Sequence, residues 1–252
     1  MQGTDPKAIM ITGAGQGIGR HFAERLAREG HRIAVVDVRA DAAQAVAEAI
    51  TATGAEALAI GIDITDEAAM ATAVGDIAAR LGGLDVLINN ASIFSTLKMR
   101  PFYEIPVDEW RKVIDVNLTG GFICARHAFP VMRASGWGRI VNIASAVVPM
   151  GRANYLHYVA SKAGVVGMTR AMARELGGFG ITVNAILPGA VETEIERETV
   201  SPEQRVAFIA QRSLPRAQVP QDLGGVVSFL ISEDAGFMTG QSLIVDGGMI
   251  FN

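Results

Sequence analysis

Short apolar runs recur along the chain, near residues 8–12, 32–37, 57–62, 84–89, 139–144, 181–187 and 242–246, and stretches of helical character separate them. Most of these runs are continuous rather than alternating, which is the pattern of strands buried on both faces. Strand, helix and strand in repetition leave few solutions. Crossovers between parallel strands are right-handed, so the sequence predicts an α/β fold, a doubly wound parallel sheet of about seven strands with helices on both faces. No linker-like stretch divides the 252 residues, half of them hydrophobic, so one domain spanning 1–252 is expected. Ligands of such a sheet bind at the carboxyl ends of its strands.

Chemistry-bearing residues gather at those ends. The first run, Ala8 to Thr12, leads straight into Gly13-Ala-Gly15-Gln-Gly17-Ile-Gly19 and then into helical periodicity through Phe22, Leu26 and Ala27. Glycines allow positive φ and close backbone approach, and the following helix aims its first amides at an anion, so a pyrophosphate fits. The spacing is Thr-Gly-x-x-x-Gly-x-Gly rather than G-x-G-x-x-G, because Ile18 stands where the last glycine of that pattern would fall. By itself the turn is also compatible with a purely structural role. The second run ends in Asp37, eighteen residues after Gly19, where an acidic residue binds the adenosine ribose hydroxyls. A carboxylate there repels a 2′-phosphate, so NAD is expected over NADP, and Gln16, which is not basic, agrees. Arg39 argues the other way, since a guanidinium can accommodate a phosphate, but Asp37 carries more weight.

Further along the same rim, Asp63 follows the third run, Asn89-Asn90-Ala91-Ser92 closes the fourth, Ser145 the fifth and Pro188-Gly189 the sixth. Each alone is ordinary turn chemistry; together they predict a common site. Tyr158 and Lys162 then fall four residues apart, on one face of a helix. A free tyrosine, with a pKa of ~10, is a poor base at neutral pH, and lowering it by about three units takes about 4 kcal/mol. One ammonium at about 4 Å supplies that much in an effective dielectric near 20. Such spacings also arise by chance on amphipathic helices, so the pair gains its meaning from the rim around it.

Taken together, Thr12-Gly13-x-x-x-Gly17-x-Gly19, Asn89-Asn90-Ala91, Asn117, Ser145, Tyr158-x-x-x-Lys162 and Pro188-Gly189 resemble the short-chain dehydrogenase/reductase family over practically the whole chain. The resemblance implies a Rossmann fold and a catalytic set of Asn117, Ser145, Tyr158 and Lys162. It also implies cofactor contacts from Gly13, Gln16, Gly17, Ile18 and Gly19 in the turn, and from Asp37 at the ribose. Asp63 and Ile64 would lie at the adenine, and Asn90, Ala91 and Ser92 beside the ribose. Tyr158, Lys162, Pro188, Gly189, Val191 and Thr193 would lie at the nicotinamide end. Ser92 departs from the family's usual glycine, and Ala144 stands where a second serine is frequent; both bear on substrate choice more than on chemistry.

Bulk properties narrow the function classes. A formal net charge of -4 without a dense basic cluster gives no footprint for nucleic acid. The sole cysteine, Cys124, lies in an apolar stretch and cannot form an internal disulfide, which suits a reducing, cytoplasmic location. The first residues, Met1 to Lys7, lack the pattern of a signal peptide, and no apolar run is long enough to span a membrane. The four histidines show no metal-ligand spacing, so no catalytic metal is expected.

The substrate pocket should come from Ile93, Phe94, Val147, Val148, Met150, Tyr155 and the segment from about 190 to 215. Within that segment Ser201-Pro-Glu-Gln204 predicts a capping box and a helix near 202–212, a candidate lid. This apolar lining favours a hydrophobic, ring-bearing secondary alcohol or its ketone. Stretches such as Asn90-Ala-Ser-Ile93 and Gly136-Trp-Gly-Arg-Ile140 also resemble NAD-dependent aromatic alcohol dehydrogenases of the 1-phenylethanol type and pyridoxal 4-dehydrogenase. The rival readings are an NADPH-dependent reductase of 3-oxoacyl thioesters and a non-catalytic NAD(H) sensor. The family also implies a homotetramer paired through long helical segments near 107–134 and 155–178.

Overall fold

The computed structural model describes residues 5–196 and 201–251. Its strands are β1 (Ala8–Thr12), β2 (Arg32–Asp37), β3 (Ala57–Gly61), β4 (Val86–Asn89), β5 (Gly138–Ile143), β6 (Ile181–Pro188) and β7 (Ser242–Val245). They form a parallel sheet in the order β3-β2-β1-β4-β5-β6-β7. The connection leaves β1 outward through β2 to β3 and then returns to β4 on the other side of β1. That reversal opens a crevice between the carboxyl ends of β1 and β4.

Alternate residues of each strand feed opposite cores, as a period of two requires. Ile9, Ile11, Ile33, Val35, Val86 and Ile88 pack on one face against α1 (Gly17–Arg28), α2 (Ala40–Thr51) and α9 (Gln221–Leu230). Their neighbours Ala8, Met10, Ala34, Val36 and Leu87 face α3 (Glu67–Leu81), α5 (Gly120–Ser135) and α7 (Leu156–Leu176). Fully buried side chains such as Phe22 and Leu26 each contribute about 1.5–3 kcal/mol of apolar burial. Cys124 sits in the second core, where burial pushes its thiol up to about 12, so it is an inert apolar filler.

The helical segment expected over 107–134 differs in one respect. Between α4 (Val107–Ile114) and α5 the backbone widens into a π turn over Asp115–Thr119, with the buried Asn117 at its centre. An extra residue in a helical turn loosens the regular ladder, and π bulges collect at functional sites. Here the Asn117 side chain stabilises it by pairing with another backbone segment. Its Oδ1 accepts from the Ile93 amide at 2.7 Å and its Nδ2 donates to the Ile93 carbonyl at 3.1 Å. The predicted capping box is present: α8 (Pro202–Gln211) starts with Ser201 and Gln204 bonded reciprocally. Between β5 and α7 lies the short α6 (Val147–Met150). Among the described residues no helix is long and apolar enough to cross a membrane.

Candidate active site

The glycine turn after β1 is locked to the end of β4 by two side chains. Thr12 Oγ1 accepts from the amides of Asn90 and Ala91 at 3.0 and 3.1 Å, and Asn90 Nδ2 donates to the carbonyls of Thr12 and Gly13 at 2.9 and 3.0 Å. Gly13 has φ +62°, and a Cβ there would come within 2.7 Å of Ala91 Cα. Only glycine permits this approach of the two strand ends. A Cβ on Gly19 would strike the Gly13 carbonyl and the Asn90 amide, so that glycine serves helix-to-turn packing.

Along this crevice runs a cavity of about 500 Å³. At one end it is lined by Asp37, Val38, Arg39, Asp63 and Ile64, past the ends of β2 and β3. Asp37 is almost fully buried; its Oδ2 accepts from the Gly15 amide at 2.9 Å and its Oδ1 from the Arg39 amide at 3.0 Å. The Arg39 guanidinium turns back to Asp37 at 3.8 Å, so the two residues that argued for different cofactors form one pair. Asp63 accepts from the amide and hydroxyl of Thr65 at 2.9 and 2.8 Å, which closes the turn into α3.

The middle of the cavity is lined by Gly13, Gln16, Ile18, Asn90, Ala91 and Ser92. Gly17 and Gly19 stand behind this lining. The Gly17 amide donates to Glu194 Oε1 at 2.9 Å, and Arg20 lies 3.4 Å from the same oxygen, so the chain after β6 is fastened over the first turn of α1. Pro188, Gly189, Val191 and Thr193 line the same side. Gln218 holds that segment in place, its carbonyl accepting from the Glu192 amide at 2.7 Å and its Nε2 donating to the Val245 carbonyl at 2.6 Å.

At the far end Ser145, Tyr158 and Lys162 share the wall. Ser145 is placed by the end of β5, and its Oγ accepts from the Val147 amide at 3.3 Å. One turn of α7 separates Tyr158 from Lys162, whose Nζ lies 5.7 Å from the Tyr158 ring centre and donates to the Ile143 carbonyl at 2.8 Å. Burial pushes the Lys162 ammonium down to about 7 from an ordinary 10.5, because the low-dielectric interior disfavours the charge. Tyr155 stacks on Tyr158 at 4.7 Å between ring centres, and its hydroxyl donates to the Phe94 carbonyl at 2.8 Å. Asn117 lies behind this wall rather than in it. It reaches Ser161 Oγ at 3.2 Å and borders a void of about 10 Å³ lined by Lys162, Asn89 and Asn142 together with the apolar Ile64, Val165 and Met168.

Of the expected substrate-pocket residues, Ile93, Phe94, Val147, Met150 and Tyr155 line the cavity, and Ala190, Ile195 and Phe208 join them from the segment after β6. Val148 does not. Neighbouring residues of the short α6 point in different directions, and Val147 and Met150 take the inward ones. Residues 197–200 of the expected lid lie outside the described residues. Sequence reasoning missed Arg152 and Met249, both in the wall. Met249 carried no local signal: it is brought there by Asp246, whose carboxylate accepts from the amides of Gly248, Met249 and Ile250 at 2.9, 3.1 and 3.0 Å. Arg152 interrupts the apolar lining that the sequence suggested.

A switch-point crevice built on a glycine turn, with serine, tyrosine and lysine at one end, defines an oxidoreductase, and the chain belongs to the short-chain dehydrogenase/reductase family. Residues 13–250 match the family model described as enoyl-(acyl carrier protein) reductase. A 3-oxoacyl-(acyl-carrier-protein) reductase of Staphylococcus aureus is 39% identical over 245 residues, covering 96% of this chain and 98% of that protein. An uncharacterized oxidoreductase of Mycobacterium tuberculosis is 40% identical over 247 residues, covering 98% of both. The crystal structure of a proposed short-chain alcohol dehydrogenase from Sinorhizobium meliloti superposes with a TM-score of 0.91 at 33% identity, covering 98% of this chain and 96% of that one.

Proposed function

We propose that the protein is an NAD-dependent dehydrogenase of hydrophobic, ring-bearing secondary alcohols, which also works in reverse as a ketone reductase. One observation carries the reading: a single cavity has Asp37 in its wall at one end and Ser145 with Tyr158 at the other. The residues between them suit a dinucleotide. The buried Asp37 carboxylate accepts ribose hydroxyls and repels a 2′-phosphate, and Arg39 is paired to it. Gly13, Gln16, Ile18, Asn90, Ala91 and Ser92 border the pyrophosphate and ribose path, with Gly17 and Gly19 supporting the turn. Asp63 and Ile64 flank the adenine, and Pro188, Gly189, Val191 and Thr193 the nicotinamide.

When bound, NAD supplies the carbon that accepts or returns the hydride. Tyr158 removes the hydroxyl proton in oxidation and returns it in reduction. Ser145 donates to the substrate oxygen and stabilises the negative charge that develops there. Lys162 favours the Tyr158 phenolate when protonated and holds the nicotinamide ribose; burial lowers its pKa, which eases release of its proton. The void bordered by Lys162 and Asn117 is close to the size of one water and has Thr12, Asn89 and Asn142 in its lining, a path for that proton. α8, with the described residues 190–196 that precede it in the chain, acts as the lid over the substrate. The protein is read as a cytoplasmic homotetramer, with exposed Val107, Phe122 and Leu156 on the helices that would pair; sedimentation tests that assembly.

A panel of secondary alcohols assayed with NAD and with NADP, following reduced cofactor, tests the activity. NAD should support turnover of aryl or branched alcohols; no oxidation of any alcohol with NAD would overturn it. The likeness to the Staphylococcus aureus protein favours a second reading, NADPH-dependent reduction of 3-oxoacyl thioesters by the same catalytic set. Asp37 opposes it. Faster thioester reduction with NADPH than alcohol oxidation with NAD would establish that reading instead.

A further inference from the structure

Helix α1 begins without a cap of its own: the Gln16 side chain before it makes no capping bond, and its first turn carries no acidic residue. A distant carboxylate takes that place. Glu194 Oε1 accepts from the Gly17 amide at 2.9 Å, and Arg20, one turn further along α1, stands 3.4 Å from the same oxygen. Negative charge is favoured at a helix N-terminus. The segment around Glu194 is shaped for this reach: the Ile195 amide donates to Thr193 Oγ1 at 3.2 Å, and Thr193 and Ile195 both line the cavity while Glu194 between them turns to α1. Gly17 has φ +58°, and a Cβ there would come within 2.8 Å of Ile195 Cδ1, so the turn and the segment lie directly against each other. Nearer β6 the segment is anchored by the buried Gln218 and Arg212, which bond the Glu192 amide and the Ala190 carbonyl at 2.7 and 2.9 Å. The Glu194 side chain, by contrast, is 45% exposed. The fastening on the α1 side is therefore the easier one to undo.

We propose that Glu194 is a latch on the cofactor: by fastening the segment after β6 to the first turn of α1, it holds a bound dinucleotide between the two and sets how fast that dinucleotide leaves. The cavity is bordered by Gly13, Gln16 and Ile18 on the turn and by Thr193 and Ile195 on the segment, so it keeps its room with the latch made. Arg20 offsets the charge that Glu194 would otherwise set beside a pyrophosphate. Opening gives up a charge-assisted hydrogen bond, stronger than a neutral one, and dissociation waits on that step. Product release limits turnover in many enzymes, which makes Glu194 a positioning residue with a kinetic role. The proposal rests on the dinucleotide-binding part of the dehydrogenase reading above and adds the residue that governs cofactor retention.

The test is stopped-flow displacement of NADH from the full-length protein, followed by nicotinamide fluorescence, with NADPH run in parallel. Glu194→Ala should raise the dissociation rate roughly tenfold, equivalent to about 1.4 kcal/mol. Arg20→Ala should raise it too, and Arg20→Ala combined with Glu194→Ala should raise it no further than Glu194→Ala alone. Glu194→Gln keeps an acceptor for Gly17 and should raise the rate roughly threefold, since a neutral bond is about half as strong as a charge-assisted one; it decides the matter if Glu194→Ala fails to fold. An unchanged or slower dissociation, or increases from Arg20→Ala and Glu194→Ala that simply multiply, overturns the latch, and the dehydrogenase reading stands as long as the wild type oxidises alcohols. Coupled, faster release in a protein that oxidises no alcohol sustains the latch and removes the dehydrogenase reading. If neither NADH nor NADPH binds, both fall.

Discussion

The Gly15 amide donates to Asp37 Oδ2 at 2.9 Å, tying the glycine turn after β1 to the end of β2. The same Asp37 carboxylate accepts from the Arg39 amide and draws the Arg39 guanidinium to 3.8 Å. One buried carboxylate therefore shapes the turn and sets the charge of the wall beside it. Asp37→Ala should weaken NAD binding and relax discrimination against NADP, by about tenfold or more in the ratio of kcat/KM values, since that is the effect of about 1.4 kcal/mol. Steady-state kinetics with both cofactors checks this, and an unchanged preference for NAD would show that Asp37 does not choose the cofactor.

Tyr158→Phe removes one hydroxyl and keeps the ring that stacks on Tyr155. Proton transfer by a positioned side chain is worth about 10²–10⁴ in rate, so kcat should fall by that order while NADH binding stays within a few fold. Near-normal turnover would exclude Tyr158 as the acid and base.

Lys162 makes stability depend on pH. In the unfolded chain it keeps its proton up to about 10.5, whereas the folded protein gives it up at about 7. Between those values unfolding takes up a proton, so this lysine makes the fold more stable as pH rises, by about 1.4 kcal/mol per pH unit. Urea unfolding of the cofactor-free protein and of Lys162→Met at about pH 7.5 and 9.5 measures it. The stability difference should shift toward the wild type at the higher pH by roughly 2–3 kcal/mol; a constant difference would mean that Lys162 stays charged.

Asp246 is buried and gathers three consecutive amides, which place Met249 in the cavity wall. Asp246→Ala strips these donors of their acceptor, at a cost of about 2 kcal/mol. It should also raise the KM for the alcohol or for NAD, because Met249 forms part of the cavity wall. An unaltered urea midpoint would contradict this role.

The strands were legible in the sequence because residues buried on both sheet faces write continuous apolar runs, and Ala8–Thr12, Arg32–Asp37 and Ile181–Pro188 fall where those runs predict. The glycine turn, Asp37, Ser145 and the Tyr158–Lys162 spacing were legible for a related reason. Each is a local pattern at a strand end or on one helix turn, and a parallel sheet brings all strand ends to one rim.

What the tertiary structure decided lies in contacts between distant segments. Glu194 reaches Gly17 across 177 residues of chain, and Asn117 stabilises a π turn only because Ile93 arrives beside it. Arg152 becomes part of the cavity wall through Tyr155 and Phe208, and Met249 through the amide cluster at Asp246. A sequence records the period and chemistry of each segment, which fixed the sheet and its rim. It does not record which side chains of separate loops meet, because that depends on packing the whole chain, and those meetings shape the substrate end of the site.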